Sequence, residues 1–190
     1  MLSELDSAIG DGDHGTTMLR AVNQLESVIR DHQALNPSQF LDKIAWTLLG
    51  IDGGATGPLL GTFFLGMSEA IPHAPSLTNT DLVLMFEGGL AALKKQTKAQ
   101  LGDKTLMDAL IPAVTASRQA LSEGKEISQL LQEAADSAET GAVATKNLVA
   151  RLGRARHLGT KTVGHQDPGA TSLSLLFRGF YEGFCKQPGD

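Results

Sequence analysis

Apolar residues recur along this chain with the spacing of amphipathic helices, and no segment shows the sustained alternation of a strand. Met18, Val22, Leu25 and Ile29, for example, fall on one face of a helix. Start and stop signals define seven helices, preceded by a short stub that resembles the last turns of a helix whose beginning is absent. The predicted ranges are residues 1–9, 16–33, 38–50, 58–71, 80–95, 105–122, 127–151 and 169–185. The pattern predicts an all-α, up-and-down bundle in which residues 1–190 form a single domain.

Glycine and polar residues are concentrated in four of the connections between these helices. The four are residues 9–15, 50–57, 102–105 and 164–169, and they are alternate connections along the chain. The other three, near residues 34–37, 72–80 and 123–126, have ordinary turn sequences. Because alternate connections of an up-and-down bundle lie at the same end, we expect the four Gly-rich loops to face one another in a composite site.

The loop before the helix predicted at 58–71 is suited to binding a phosphate group. Its sequence runs Gly53-Gly54-Ala55-Thr56-Gly57-Pro58, with the proline suited to the first helical position. Unpaired amides and a partial positive charge at a helix N-terminus bind anions without a basic side chain. Thr56 is expected either to cap the helix or to donate its hydroxyl to a phosphate. A tight turn followed by a capped helix explains the same residues without a ligand.

Two aspartates, Asp11 and Asp13, are separated by one glycine, so in an extended segment their side chains project to the same side. A hard divalent cation such as Mg²⁺ would relieve their repulsion, and Asp6 could supply a third carboxylate. Three carboxylates and a polyphosphate would need more than one Mg²⁺ for charge balance. A solvated turn with an aspartate as helix N-cap is the alternative. The spacing matches neither an EF-hand nor a Walker A loop.

Several other polar residues have both a structural and a functional interpretation. His14 is more simply a turn histidine than a phosphohistidine, and Asp103 or Thr105 could cap the next helix with Lys104 solvated. Asp167-Pro168-Gly169 has the form of an N-cap followed by a helix start. The basic cluster either complements a helix C-terminus or binds phosphate through Arg154 or Arg156. Its members are Arg151, Arg154, Arg156, His157 and Lys161.

Composition narrows the functional class. The formal net charge of -5 argues against a nucleic-acid-binding protein, which normally has a basic excess. The single cysteine, Cys185, excludes a disulfide within the chain and favours a reducing compartment. No apolar run approaches the length of a membrane helix, and the N-terminus has no signal-peptide pattern. We therefore expect a cytoplasmic protein with no membrane association.

The four loops together resemble the signatures of the nucleotide-binding L subunits of dihydroxyacetone kinases, the DhaL or DAK2-type domain. The segment from Leu5-Asp6 through Ile9-Gly10-Asp11-Gly12-Asp13-His14-Gly15 resembles the family's metal-binding signature, and residues 53–59 resemble its phosphate loop. Residues 102–105 and 164–172 resemble two further signatures. The resemblance covers essentially the whole chain, in order, and implies an antiparallel eight-helix barrel whose first helix is shortened here.

The resemblance also implies roles for individual residues. Asp6, Asp11 and Asp13 would coordinate two Mg²⁺ ions that bridge the phosphates of ADP or ATP. Nucleotide contacts would come from the first two loops, with Gly102 and Met107 beside the adenine and Arg154 and the 167–169 segment closing the site. The implied nucleotide-binding residues are His14, Gly15, Thr16, Thr17, Ala55, Thr56, Gly102, Met107, Arg154, Asp167, Pro168 and Gly169. No catalytic residue is assigned beyond the phosphate contact of Arg154.

In this family the acceptor ketone, dihydroxyacetone, is held by a separate K-type subunit or domain, so the chain is expected to be half of an enzyme. The phosphoryl donor is either exchangeable ATP or a bound ADP rephosphorylated by a phosphotransferase-system protein, the M subunit. A free-standing L chain favours the second scheme slightly, whereas Gly15-Thr16-Thr17 leans weakly toward ATP users. The alternatives are a nucleotide-loaded regulatory module and an ATP-dependent kinase subunit for another short ketose or polyol. A homodimer is compatible with the sequence.

Overall fold

A computed structural model describes residues 1–32, 34–52 and 54–186, and over these ranges the chain is helical, with no strand. The all-α prediction is therefore confirmed. Eight α-helices are defined in the described residues: α1 Leu2–Ile9, α2 His14–Asp31, α3 Pro37–Leu49, α4 Thr56–Glu69, α5 Asn79–Gln96, α6 Met107–Ser122, α7 Ile127–Ala144 and α8 Pro168–Cys185. Two 3₁₀ helices, Thr145–Asn147 and Arg154–Thr162, lie between α7 and α8.

Most predicted helices agree with the observed ones within two residues at each end, apart from the end of α7. The range predicted for α7 reached residue 151 and is wrong beyond Ala144. The α-helix ends at Thr145 because the Thr145 amide donates to the carbonyls of Ala142 and Val143, three and two residues earlier, instead of four residues earlier. The Thr145 hydroxyl also donates to the Ala142 carbonyl, at 2.5 Å. The sequence pattern also missed the 3₁₀ segment at Arg154–Thr162, which is interrupted at Gly159. The predicted end of α2 at Gln33 lies outside the described residues.

Contacts within the chain define two compact units, the first made of residues 1–12 with 99–186 and the second of Asp13–Lys98. The single-domain assignment stays a prediction. In the first unit, α6, α7 and α8 pack on one another, and α1 packs on α8 and on the Arg154–Thr162 segment. In the second unit, α4 packs between α3 and α5, and α2 contacts α3 and α4.

Helix α4 is apolar around most of its circumference because it is buried by neighbours on more than one side. Phe63 and Met67 are completely buried within it. Its approach to α5 is so close that a Cβ on Gly66 would lie 2.5 Å from the Gly88 carbonyl oxygen. Ser38 and Ser68 exchange hydroxyl-to-carbonyl hydrogen bonds of 3.1 and 3.0 Å and so join α3 to α4.

Two helices that follow ordinary turns, α3 and α5, begin with side-chain caps. Asn36 Oδ1 accepts the Gln39 amide at 3.0 Å at the start of α3, where Pro37 occupies the first turn. Thr78 and Asp81 form a reciprocal capping box at the start of α5. None of the described helices is long and apolar enough to cross a lipid bilayer.

Candidate nucleotide and metal site

An acidic group is formed by the segment that ends α1 and leads to α2. One carboxylate oxygen from each of Asp6, Asp11 and Asp13 lies within 4.8 Å of the others. Asp6 is buried on α1, whereas Asp11 is exposed. The three residues belong to one short continuous stretch of chain, residues 6–13.

Gly10 makes room for the Asp6 carboxylate. Its amide donates to the Asp6 carbonyl at 2.5 Å, and a Cβ built on Gly10 would overlap Asp6 Oδ1. Gly12 has a φ of +78°, in the left-handed region that favours glycine, and a Cβ there would lie 2.6 Å from Ser7 Oγ. The two glycines therefore let the chain turn tightly around the buried carboxylate.

Three carboxylates this close repel one another unless positive charge lies among them. In the first unit, the Arg154 guanidinium forms an ion pair with Asp11, and both side chains are about half exposed. Hard oxygen ligands at this spacing are also those that Mg²⁺ prefers. The donor set and the space preserved by Gly10 thus fit a divalent cation.

In the second unit, the starts of α2 and α4 lie together. His14 Nδ1 is 3.1 Å from Thr56 Oγ1, and Arg20 Nη1 donates to the Asp52 carbonyl at 2.8 Å. The structure therefore joins the end of the first Gly-rich loop to the second, as the alternation of the loops predicted. Gly53, which belongs to the predicted phosphate loop, lies outside the described residues.

The first turns of α2 and α4 differ from those of α3 and α5 because their N-cap residues, Asp13 and Ala55, form no side-chain cap hydrogen bond in the part of the chain that the structure describes. Ala55 is the N-cap of α4 and has no side-chain acceptor, and Thr56 is already helical, with its hydroxyl beside His14. Pro58 accordingly lies two residues inside the helix rather than at its first position. The amides at these helix starts, together with the positive ends of the helix dipoles, suit an anionic group.

In the first unit, the loop at residues 102–105 wraps around the carboxylate of Asp108, which is almost fully buried. Asp108 Oδ1 accepts the Gly102 amide at 2.6 Å, and Oδ2 accepts the Thr105 amide at 2.7 Å. Asp103 Oδ2 instead accepts the Gln100 amide, so Asp103 does not cap α6. The sequence does not single out Asp108, because an acidic residue in the first turn of a helix ordinarily only complements the helix dipole.

Lys104 joins this loop to the one that precedes α8. Its Nζ donates to the carbonyl oxygens of Thr145 and His165, each at 2.5 Å, and the residue is 2% exposed. The interpretation of Lys104 as a solvated side chain is therefore wrong. Nothing in the periodicity of a four-residue loop indicates whether its lysine points inward, so tertiary structure was needed to reveal this contact.

The start of α8 agrees with its sequence signal. Asp167 accepts the Ala170 amide at 2.7 Å as N-cap, and Pro168 occupies the first turn. Burial raises the pKa of the Asp167 carboxyl to about 7, and the Ala170 amide and Lys104 offset part of that rise. Burial also lowers the pKa of Lys104, an effect opposed by the charges of Asp167 and Asp108.

A groove of about 490 Å³ lies beside Gly102 in the first unit. Pro112 has no amide to donate to the Asp108 carbonyl, and Gly141 of α7 has no Cβ to collide with that carbonyl. The volume of the groove is within the range of small-ligand pockets. Its lining residues are Leu101, Gly102, Asp108, Pro112, Asp136, Ser137, Thr140, Gly141, Ala144 and Leu148.

The residues expected to contact nucleotide differ in accessibility. Those at least partly exposed are Gly15, Thr16, Ala55, Thr56, Gly102, Arg154, Asp167 and Gly169. Those buried in the structure are His14, Thr17, Met107 and Pro168. Met107 is completely buried, whereas Gly102 lines the groove. The remaining basic residues Arg151, Arg156, His157 and Lys161 are in or beside the second 3₁₀ helix, and Arg151 lies 3.9 Å from the Asp103 carboxylate.

Comparisons with known proteins agree with the resemblance found in the loops. The model of the DAK2 domain family matches residues 8–182. The ADP-binding subunit DhaL of the PEP-dependent dihydroxyacetone kinase of Escherichia coli K12 is 37% identical over 177 residues, which cover 93% of this chain and 84% of that protein. Human triokinase/FMN cyclase is 34% identical over 182 residues, covering 95% of this chain but 31% of the longer human protein.

A solved structure has a similar fold. It is the dihydroxyacetone kinase of C. freundii in complex with AMP-PNP and Mg²⁺, with a TM-score of 0.71 and 30% sequence identity. The match covers 96% of this chain and 30% of that longer chain.

Proposed function

Since this chain belongs to the DAK2 domain family, we propose that it is the nucleotide-binding subunit of a dihydroxyacetone kinase. The observation that carries the proposal is the group formed by Asp6, Asp11 and Asp13, whose oxygens lie within 4.8 Å of one another. The uncapped starts of α2 and α4 supply the second element that a metal-nucleotide complex requires, an anion-binding backbone.

The three aspartates would hold two Mg²⁺ ions. Carboxylates at this spacing match the ligand preference of Mg²⁺, and three of them together with a polyphosphate carry more negative charge than one ion balances. Bound there, the metal would neutralise charge on the phosphates, which is a large part of what phosphoryl transfer requires. The chain's own contribution is to hold these carboxylates in place, with Gly10 leaving the space for Asp6.

The phosphates would lie at the helix starts, contacted by His14, Gly15, Thr16 and Thr17 of α2 and by Ala55 and Thr56 at α4. The backbone amides and positive dipole ends of the two helices favour an anion there, and the His14–Thr56 contact holds the two helix starts together. The adenine would occupy the groove beside Gly102. Met107, which the resemblance also assigns to the adenine, is buried in the first turn of α6. In the first unit, Arg154, Asp167, Pro168 and Gly169 would supply further nucleotide contacts, and the guanidinium of Arg154 suits a phosphate oxygen.

The acceptor, dihydroxyacetone, would be held by a separate K-type subunit, and ADP on this chain would be rephosphorylated by an M-type phosphotransferase protein. The similarity to a PEP-dependent subunit of E. coli supports this donor. The similarity to human triokinase/FMN cyclase favours a second candidate, an ATP-dependent kinase subunit for another short ketose or polyol. A cytoplasmic location is part of the same proposal.

Calorimetric titration of Mg-ADP tests the metal assignment. Asp11→Asn keeps the size of the side chain but removes one anionic ligand, so we expect Mg-ADP binding to be lost while the helical circular dichroism is unchanged. Asp31→Asn, at an exposed aspartate at the end of α2, is the matched control and is expected to bind like the wild type. An Asp11→Asn protein with wild-type affinity would rule out this metal site.

A reconstitution assay separates the candidate functions. The chain is mixed with a K-type subunit, Mg²⁺ and dihydroxyacetone, and the donor is either ATP or the PEP-driven phosphotransferase proteins with catalytic ADP. Product in the second mixture alone supports the proposed donor, and product with ATP supports the second candidate. Tight Mg-ADP binding with product in neither mixture would indicate a nucleotide-loaded regulatory module.

A further inference from the structure

Lys104 has an unusual backbone conformation for a lysine. Its φ is +60°, and it is the one residue other than glycine with a positive φ in the part of the chain that the structure describes. A side chain other than glycine is disfavoured in this region because its Cβ crowds the backbone. Two residues earlier, Gly102 also has a positive φ, of +94°, which glycine adopts readily. A lysine here therefore keeps a conformational cost that glycine would remove, which indicates that its side chain is needed.

The side chain reaches two segments far away in the sequence. Its buried ammonium binds the carbonyl of Thr145, where α7 ends, and the carbonyl of His165, in the loop before α8. These carbonyls are 41 and 61 residues along the chain from Lys104. Charge-assisted hydrogen bonds of this kind are the strong ones, so a single ammonium brings three segments together.

Further hydrogen bonds continue from the same point to the start of α8. The Asp167 amide donates to Thr145 Oγ1 at 2.9 Å, and the Gly164 amide donates to the Lys146 carbonyl at 2.7 Å. Asp167 then caps α8 through the Ala170 amide. The opposite end of the network reaches Gly102, because Asp108 binds the amides on both sides of Lys104, those of Gly102 and Thr105.

We propose that Lys104 is a positioning residue that holds the start of α8, at Asp167–Gly169, against the Gly102 loop, so that nucleotide contacts from both are formed before the ligand binds. The inference rests on the proposed function, which assigns those residues to the nucleotide. Lys104 is buried and acts through its neighbours, without touching the ligand.

Amide hydrogen exchange followed by NMR on the ligand-free protein tests the contact directly. In Lys104→Met, which keeps the apolar stem and removes the ammonium, we expect the Gly164 and Asp167 amides to exchange at least about tenfold faster. Amides inside α6 and α7 should exchange as in the wild type. Lys146→Met, at an exposed lysine on the neighbouring turn, is the matched control and should leave all these rates unchanged.

Binding measurements distinguish positioning from a general loss of stability. For Lys104→Met, we expect the Kd for Mg-ADP to rise by at least about tenfold, while the Kd for Mg²⁺ alone, which reports on the aspartates, stays the same. Thr145→Val removes the hydroxyl that accepts the Asp167 amide and donates to the Ala142 carbonyl, and it should show a smaller change in the same direction. This second variant carries the test if Lys104→Met does not fold.

The proposal is overturned if the Gly164 and Asp167 amides of the variants exchange at wild-type rates, or if they accelerate only together with the interior of α6 and α7. It is also overturned if Mg²⁺ and Mg-ADP affinities fall in parallel. A wild-type protein that does not bind Mg-ADP would contradict the proposed function instead, and the exchange data would still decide whether Lys104 fixes these segments.

Discussion

Replacing Asp167 by asparagine should make the protein more stable at neutral pH than the wild type, although it removes a charged N-cap. Asparagine keeps a side-chain oxygen to accept the Ala170 amide and is as good a cap as aspartate. It does not ionise, however, whereas the Asp167 carboxyl must lose a proton at a site that is only partly open to solvent. The comparison between the two proteins therefore isolates the cost of that ionisation.

The magnitude follows from the pKa. Burial raises the pKa of Asp167 from 3.8 to about 7, so the folded protein binds this proton more tightly than the unfolded chain. The stabilisation from this group is complete below pH 3.8 and is lost as the pH rises through about 7. At about 1.36 kcal/mol per pH unit, the advantage of Asp167→Asn should grow by roughly 2–3 kcal/mol between pH 5 and pH 8 and then level off.

Urea unfolding of the ligand-free proteins at a series of pH values from 5 to 8.5 measures this difference. Asp31→Asn removes an exposed carboxylate and controls for the change in net charge. A stability difference between Asp167→Asn and wild type that stays constant over the series, or shrinks as the pH rises, would refute the raised pKa of Asp167.

Three further changes probe the aspartate group and the helix packing. Gly10→Ala places a methyl group against Asp6 Oδ1 and should weaken Mg²⁺ binding at least about tenfold by calorimetry, so undiminished affinity would refute the space-keeping role of Gly10. Arg154→Ala removes the cation paired with Asp11, so it should tighten the binding of Mg²⁺ alone and weaken the binding of Mg-ADP. Changes of the same sign in both titrations would contradict the idea that Arg154 pairs with Asp11 in the free protein and with a phosphate in the complex. Gly66→Ala should lower the free energy of unfolding by about 1–3 kcal/mol because its methyl group meets the Gly88 carbonyl of α5. Gly179→Ala, where the space around the glycine is open, should instead raise it by up to about 1 kcal/mol, and equal effects of the two substitutions would argue against tight α4–α5 packing.

Sequence alone was sufficient for the features that depend on local chemistry. Helical periodicity gave the all-α class and most helix bounds because each helix buries one face or, for α4, nearly its whole surface. The cap at Asp167 was visible because capping uses residues within a single turn. The order of the Gly-rich loops also predicted that they would meet, and within each unit two of them do.

Tertiary structure decided what depends on contacts between distant segments. Lys104 has the same sequence neighbours whether its ammonium lies in solvent or on the carbonyls of Thr145 and His165, so only the fold reveals that it is buried. The end of α7 was missed for the same reason. The helix ends at Ala144 because the amide and hydroxyl of Thr145 bond carbonyls only two or three residues earlier, and the Thr145 carbonyl accepts from Lys104. Long-range hydrogen bonds of this kind have no period in the sequence, whereas burial of a helix face does.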